Sequence, residues 1–478
     1  MKILAVSSEM VPYAKTGGLA DVVGALPHYL AKSGHDVRVF IPLYGSIRRD
    51  SLNLVNVVER LDVRLGVHYY RIRILRDADN SLAHFVDCPA LYDRGSVYTR
   101  DADEHRRFLA LCWAALMACQ HMRFAPDVVH CHDWHTAMLP LILKTSFAWD
   151  RLFSKTRCLL TIHNLEYQGG FPAKILPDLN LNDQQHLLHQ EFLQQGRINF
   201  LLHGILYADG ISTVSATYAA QMQSPEHGAG LDPFLRARQS TVVGILNGVD
   251  YEEWSPDRDQ YLKHRYSAVD VSGKEDCKQE LLGSLGLPYV PRVPVAGIVS
   301  RMATQKGLDL VPEALLPALS ERALQLVVLG SGDPHLEYLF GELQYRFPRQ
   351  VVFYRGFSNP LAHRIEAGAD MFLMPSRHEP CGLNQLYSLR YGTVPVVFRT
   401  GGLADSVQLW NPRSRQGTGL VFEHHDVRGL RWAVESAMAL YHDRRAWRKL
   451  MANGMAKDYS WTRQVKLYEE LFSRLGAR

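Results

Sequence analysis

Two stretches of the chain repeat each other: Lys15-Thr-Gly-Gly-Leu-Ala-Asp21 and Arg399-Thr-Gly-Gly-Leu-Ala-Asp405. A glycine pair ahead of a helix lets backbone N–H groups approach an anion, and the cation before it adds a full charge. The spacing fits neither a dinucleotide fingerprint nor a Walker loop. The chemistry it suits is the holding of a phosphate or sugar phosphate. A second pair of cations, Arg301 and Lys306, shares one loop with Gly307. Such a pair can clamp a diphosphate. Arg377-His-Glu-Pro-Cys-Gly382 offers one carboxylate, Glu379, in a loop shaped by Pro380 and Gly382. A carboxylate there either caps the following helix or serves a site. In His130-Cys-His-Asp-Trp-His135, two imidazoles share one face of an extended strand. They are either metal ligands or hydrogen-bonded imidazoles at a site's edge. No second cluster with ligand spacing accompanies them, so no metal is assigned. Thr161-Ile-His163-Asn164 brings a further imidazole to a strand end.

Each group follows a short apolar run, and those runs must position them. Strands are expected at Ile3–Ser7, Asp36–Ile41, Val128–His130, Cys158–Ile162 and Gly210–Val214. The second half repeats the scheme at Val293–Ser300, Leu324–Leu329, Val351–Tyr354, Met371–Met374 and Val394–Phe398. Helical spacing lies between them, as in Leu19–Ser33, which Gly34 stops, and in Leu383–Arg390. This is the pattern of a parallel sheet covered on both faces. The segment Asn247–Gly286 is weak in periodicity, and a domain boundary is placed at its start. The expected architecture is α/β, with two doubly wound domains and a cleft between them. They span residues 1–247 and 248–459, with a terminal helix in 460–478 that has one apolar face. In such sheets ligands sit beyond the carboxyl ends of strands, where all these groups fall.

Composition removes several other classes. Hydrophobic residues are 47% and charged residues 21% of 478, which excludes disorder. The net charge of +4 comes without a dense basic run, so no nucleic-acid partner is expected. The cluster Arg444, Arg445, Arg448 and Lys449 reads as the solvated face of a helix. The longest apolar run, Phe108–Cys119, is too short for a bilayer and reads as a core helix. Seven cysteines without a CxxC pair, and an N-terminal apolar stretch too short for a signal peptide, lead us to expect a cytoplasmic protein and no membrane partner.

Taken in order along the whole chain, these motifs resemble those of bacterial glycogen synthases and the related plant starch synthases. The carrying residues are Lys15 to Val22, His132-Asp-Trp-His135, Thr161-Ile-His-Asn164, Ser300-Arg301 with Lys306-Gly307, Pro375-Ser376, Glu379-Pro-Cys-Gly382 and Arg399 to Asp405. The resemblance implies a GT-B fold, with two Rossmann-like domains facing a deep cleft and the last helix crossing back to the first domain. It implies transfer of glucose from ADP-glucose to the non-reducing end of an α-1,4-glucan, with the anomer retained and no cofactor. The roles it implies for catalysis fall to Glu379, Arg301, Lys306 and His163. Donor contacts are implied for Lys15, Gly17, Gly18, Asp133, Asn247, Cys381, Gly382, Leu383, Thr400, Gly401 and Gly402. One departure from the wider class of retaining GT-B enzymes is Tyr387, which stands where many of them carry a second glutamate.

The chemistry agrees with the resemblance. A nucleoside diphosphate leaves readily once its charge is neutralised, so cations and helix N-termini are the main requirement. A retaining glycosidase uses two carboxylates, and only Glu379 is nominated here, as a sugar-binding stabiliser or as a nucleophile. Competing readings are the same fold using UDP-glucose or another glucan acceptor, a non-catalytic glucan-binding protein, and a metal-dependent hydrolase built on His130–His135.

Overall fold

The computed structural model describes residues 1–477, which form two compact units. Met1–Gly248 and the terminal helix make the first, and Val249–Ser460 makes the second.

The strands of unit 1 are β1 (Lys2–Val6), β2 (Asp36–Pro42), β3 (Leu54–Leu65), β4 (His68–Asp77), β5 (Ala83–Asp87), β6 (Val128–His132), β7 (Arg157–Ile162), the short pair β8 (Gly170–Pro172) and β9 (Arg197–Asn199), β10 (Gly210–Thr213) and β11 (Val242–Gly244). Nine of them build one sheet in the order β11-β10-β7-β6-β1-β2-β5-β4-β3. From β11 to β5 every pairing is parallel, whereas β5–β4 and β4–β3 are antiparallel. This edge differs from the fully parallel sheet expected. The cause is visible in β3, where Leu61, Val63 and Leu65 are buried while Arg60, Asp62 and Arg64 are exposed. A period-two alternation suits an antiparallel edge with one wet face. Gly66, at φ +58°, turns the chain directly into β4.

Helix α1 (Gly18–Lys32) buries Val22, Val23, Leu26 and Leu30. These are the positions expected of a helix with one core face. Gly34, at φ +91°, takes the left-handed turn that ends it. Helix α2 (Glu104–His121) buries both ends of the Phe108–Cys119 run, as expected of a core helix. The terminal helix of unit 1 (Trp461–Gly476) packs Val465, Tyr468, Leu471, Phe472 and Leu475 into one apolar cluster with Ile3, Val22, Leu26 and Leu30.

Unit 2 carries β12 (Val295–Val299), β13 (Gln325–Gly330), β14 (Val351–Arg355), β15 (Met371–Met374), β16 (Val394–Phe398) and β17 (Leu420–Phe422), all parallel, in the order β14-β13-β12-β15-β16-β17. Along β13, Leu326 and Val328 enter one apolar cluster while Val327 and Leu329 enter another. Both faces of the sheet are therefore covered, which is why the strands read as continuous apolar runs. The strand order reverses at β6/β1 in unit 1 and at β12/β15 in unit 2. Those switch points are where doubly wound sheets take ligands. The solvated basic face stands as read: Arg444, Arg445, Arg448 and Lys449 are exposed on a helix that buries Trp447 and Leu450.

Candidate active site

In unit 2, β12 ends at Val299 and leads into the loop that carries Arg301, which is exposed, and then Lys306. The neighbouring strand across the switch point, β15, ends in the loop that carries Glu379. Lys306 Nζ lies 2.7 Å from Glu379 Oε2, and Ser376 Oγ donates to that same oxygen at 2.9 Å. Glu379 is 6% exposed. The carboxylate is thus held by a cation and a hydroxyl rather than by a helix N-terminus. Two further bonds lace the loops together: the Arg377 N–H donates to Gln305 O at 2.9 Å, and Gln305 Nε2 donates to His378 O at 3.0 Å.

The second glycine pair packs against this carboxylate loop. Thr400 is the N-cap of α3 (Gly401–Ser406) and is buried. A side chain on Gly401 would meet Glu379 O at 2.0 Å, and one on Gly402 would meet Cys381 O at 2.0 Å. The Gly402 N–H donates to Glu379 O at 3.0 Å. These glycines are required because two backbones touch there. Arg399, the cation before them, pairs with Glu423 at 2.6 Å. Cys381 is buried, and Gly382 and Leu383 lead into the helix Asn384–Tyr391. Gln385 Nε2 donates to the Cys381 and Gly382 carbonyls, both at 3.0 Å, and fixes that turn. Tyr387 lies flat on Trp254, with ring centroids 3.9 Å apart. Its position serves an aromatic stack and supplies no second carboxylate.

In unit 1, Lys15 is exposed and pairs with Asp21 at 2.6 Å. The loop behind it holds a carboxylate of its own chain. Glu9, 2% exposed, accepts from Thr16 N–H at 2.5 Å, Thr16 Oγ1 at 2.6 Å and Gly17 N–H at 3.2 Å, and also from Tyr98 OH. The Gly17 amide, read from sequence as a donor contact, is engaged by this internal anion. Gly18 begins α1.

The imidazoles form a buried line. His130 Nε2 and Thr161 Oγ1 are 2.6 Å apart, and Thr161 Oγ1 meets Ser212 Oγ at 2.6 Å. His132 Nδ1 and His163 Nε2 are 3.0 Å apart. Burial lowers the His130 and His163 pKa values to about 3, and it holds His132 well below the usual imidazole range. All three are neutral at pH 7, so they exchange hydrogen bonds and carry no charge. Among the described residues no group of three or more His, Cys, Asp or Glu is arranged to hold a metal ion.

Asp133 follows β6 in a left-handed conformation, φ +54°, which is costly for a non-glycine residue. Its Oδ1 accepts the His163 N–H at 2.6 Å, and burial raises its pKa to about 7. Asn247 is buried, and its Oδ1 has no partner among the described residues.

Within each unit, then, the structure gathers the residues singled out by sequence. Lys306, Glu379, Cys381, Gly401 and Gly402 converge in unit 2, and Asp133 with His163 in unit 1. Sequence reading missed Glu9, Tyr98 and Gln385, and it quoted Ser376 within a family motif without giving it a role. Only Glu9 carried a signal, because Ser7-Ser8-Glu9 directly follows a buried strand, as Arg301 does in unit 2.

Comparison with known proteins bears on the whole chain. Residues 2–237 match the family model described as starch synthase catalytic domain, and residues 290–452 match glycosyl transferases group 1. A glycogen synthase of Koribacter versatilis is 44% identical, across 99% of this chain and 98% of its own. One from Anaeromyxobacter sp. is 44% identical with both chains fully covered. Among solved structures, the catalytic domain of Arabidopsis thaliana starch synthase IV, bound to ADP and acarbose, superposes with a TM-score of 0.92. It is 33% identical, with 100% of this chain and 99% of that one covered. A sucrose-phosphate synthase from Thermosynechococcus elongatus, 16% identical, shares the fold alone at a TM-score of 0.64. Similarity of this depth, unbroken across both units, leaves one assignment: the chain belongs to the glycogen and starch synthase family of GT-B glycosyltransferases.

Proposed function

We propose that the protein elongates an α-1,4-glucan by transferring glucose from ADP-glucose to its non-reducing end, with retention of the anomeric configuration. The observation that carries this reading is the Lys306–Glu379 pair at the β12/β15 switch point. It is supported by glycogen synthase relatives at 41–44% identity over essentially the whole chain and by a starch synthase neighbour bound to ADP and acarbose.

The leaving group is the diphosphate, and its charge grows as the bond to the anomeric carbon breaks. Arg301 and Lys306 supply positive charge for it, and the family resemblance implies a further donor contact for Lys15. A donor phosphate competes with Glu379 for Lys306. Once the phosphate has drawn off the ammonium, Glu379 faces the sugar and offsets the positive charge developing there. Ser376 keeps the carboxylate oriented through that exchange. His163, neutral and tied to His132, donates or accepts a hydrogen bond at the glucose without adding charge. Asp133, in its strained turn, acts through the backbone of His163 and at the sugar. Asn247 brings its unpaired carboxamide oxygen to the donor. The turn at Cys381, Gly382 and Leu383 and the loop at Thr400, Gly401 and Gly402 shape the pocket around the transferred glucose.

Arg301 and Lys306 make a divalent metal unnecessary for charge, and we assign neither metal nor cofactor. Seven buried cysteines, none of them in a disulfide, fit a reducing compartment such as the cytoplasm. No helix among the described residues is long and apolar enough to cross a membrane.

The test is product analysis on glycogen with ADP-glucose and UDP-glucose side by side. The expected result is a new α-1,4-linked terminal glucose, with the higher kcat/KM for ADP-glucose. Equal or better transfer from UDP-glucose overturns the donor assignment. Glycogen binding without transfer from either donor overturns the enzymatic reading.

A further inference from the structure

The first glycine loop already holds an anion, and that anion belongs to the protein. Glu9 lies just beyond β1, at the switch point of unit 1, and is almost fully buried. Its carboxylate takes the Thr16 N–H at 2.5 Å and the Gly17 N–H at 3.2 Å. Those N–H groups belong to the two peptide planes that follow Lys15. Because a peptide unit is rigid and planar, fixing its N–H fixes the carbonyl side as well. The bond to Thr16 N–H therefore sets the plane that leaves the Lys15 Cα, and the bond to Gly17 N–H sets the next. Gly17 is the N-cap of α1 and has no side chain to do this locally. The Thr16 hydroxyl adds a third bond, at 2.6 Å.

The same carboxylate ties in a second loop. Tyr98 OH donates to Glu9 and also meets Ser8 Oγ at 2.9 Å, and the Tyr98 ring stacks on His135 at 4.7 Å. The adjacent Thr99 is clasped by Glu104, whose carboxylate accepts both its N–H at 3.1 Å and its hydroxyl at 2.5 Å. In the second glycine loop the Gly402 N–H donates to the backbone carbonyls of Glu379 and Pro380, at 3.0 and 3.1 Å.

We propose that Glu9 is a positioning residue for Lys15. It acts as an internal counter-anion that fixes the backbone from which the Lys15 side chain leaves, so that the ammonium has only to exchange its Asp21 partner, 2.6 Å away, for the donor phosphate. It touches no substrate. The proposal rests on the reading of Lys15 as a donor-phosphate contact. In Glu9→Gln, one carboxamide oxygen still accepts, but the NH2 group turns a donor toward donors and the charge is gone.

The experiment is a double-mutant cycle on kcat/KM for ADP-glucose, with glycogen as acceptor. The variants are Glu9→Gln, Lys15→Ala and the combination, with each variant's Tm recorded. Residues that act as one unit are non-additive. Glu9→Gln should cost roughly tenfold or more in the wild-type background and less than about twofold in the Lys15→Ala background. Tyr98→Phe removes one bond to Glu9 and leaves the carboxylate in place, so it reports even where Glu9→Gln folds poorly. Its smaller loss should likewise vanish in the Lys15→Ala background. Equal losses in both backgrounds would mean a general structural role and overturn the proposal. If Lys15→Ala alone leaves kcat/KM for ADP-glucose unchanged, the reading of Lys15 itself fails, and Glu9 has nothing to position.

Discussion

Lys306 Nζ and Glu379 Oε2 stand 2.7 Å apart, and Ser376 Oγ donates to the same carboxylate oxygen at 2.9 Å. Sequence alone gives these two residues separate tasks, one on the diphosphate and one on the sugar. Paired, they form a contact that the proposed donor binding would have to open. On the proposed function, the ammonium exchanges a carboxylate for a phosphate, and the released carboxylate is left where positive charge develops.

Replacing Lys306 tests the leaving-group half of this account. Lys306→Gln keeps much of the side-chain length and removes the charge. One such electrostatic donor in a water-poor site is typically worth roughly 10²–10³ in rate, or about 3–4 kcal/mol. We expect kcat to fall on that scale and ADP affinity to fall much less. Lys306→Arg should recover only part of the loss, because a planar fork does not reproduce a compact point charge. Steady-state kinetics and ADP titration of both variants check this. A raised KM with unchanged kcat would make Lys306 a uniform binding residue.

The pairing also predicts a stability pattern. Lys306→Gln leaves the buried Glu379 charge with only neutral partners, which is destabilising. Lys306→Gln combined with Glu379→Gln removes that charge as well. Thermal melts should therefore place the double variant above Lys306→Gln alone. A double variant lower than the single one would show that the pair contributes little to the fold.

Exhaustive chelation should leave turnover intact, because on the proposed function Arg301 and Lys306 supply the charge a metal would bring. The check is activity before and after EDTA treatment and dialysis. A loss restored by one equivalent of a divalent ion would return the His130–His135 segment to consideration as a metal site.

Much of this arrangement is legible in the sequence, for reasons that differ by residue. Strands such as Met371–Met374 and Val394–Phe398 are buried on both faces and read as unbroken apolar runs. Their carboxyl ends then point to Arg301, Glu379 and Thr400. The β3–β4 edge was not read, because its alternation is that of a half-wet antiparallel ribbon within an otherwise parallel scheme. The contents of the first glycine loop were also hidden. Gly-Gly after a cation says that backbone amides are available, and nothing local says that Glu9, six residues before Lys15, already occupies them. Likewise nothing in the spacing of Lys306 and Glu379, 73 positions apart, announces a salt bridge. The adjacency of β12 and β15 creates it.

Acid sensitivity should follow from the buried imidazoles. Burial in the fold lowers the His130 pKa from 6.5 to about 3, because it penalises the charged form. The unfolded state therefore binds more protons between those values, and stability falls as pH drops from about 6.5 toward about 3. Above pH 6.5 this contribution is flat. His130→Asn removes the titrating group, so its Tm should decline less steeply than wild type between pH 7 and pH 4. Parallel Tm curves would contradict the assignment.

The most direct test of the central claim is to measure kcat and ADP affinity together for Glu379→Gln. If Glu379 stabilises the developing charge on the sugar while holding Lys306 in reserve, kcat should collapse. ADP affinity should hold or rise, since the phosphate no longer competes with a carboxylate for the ammonium. A near-normal kcat, or a loss of ADP affinity equal to the loss in kcat, would contradict it.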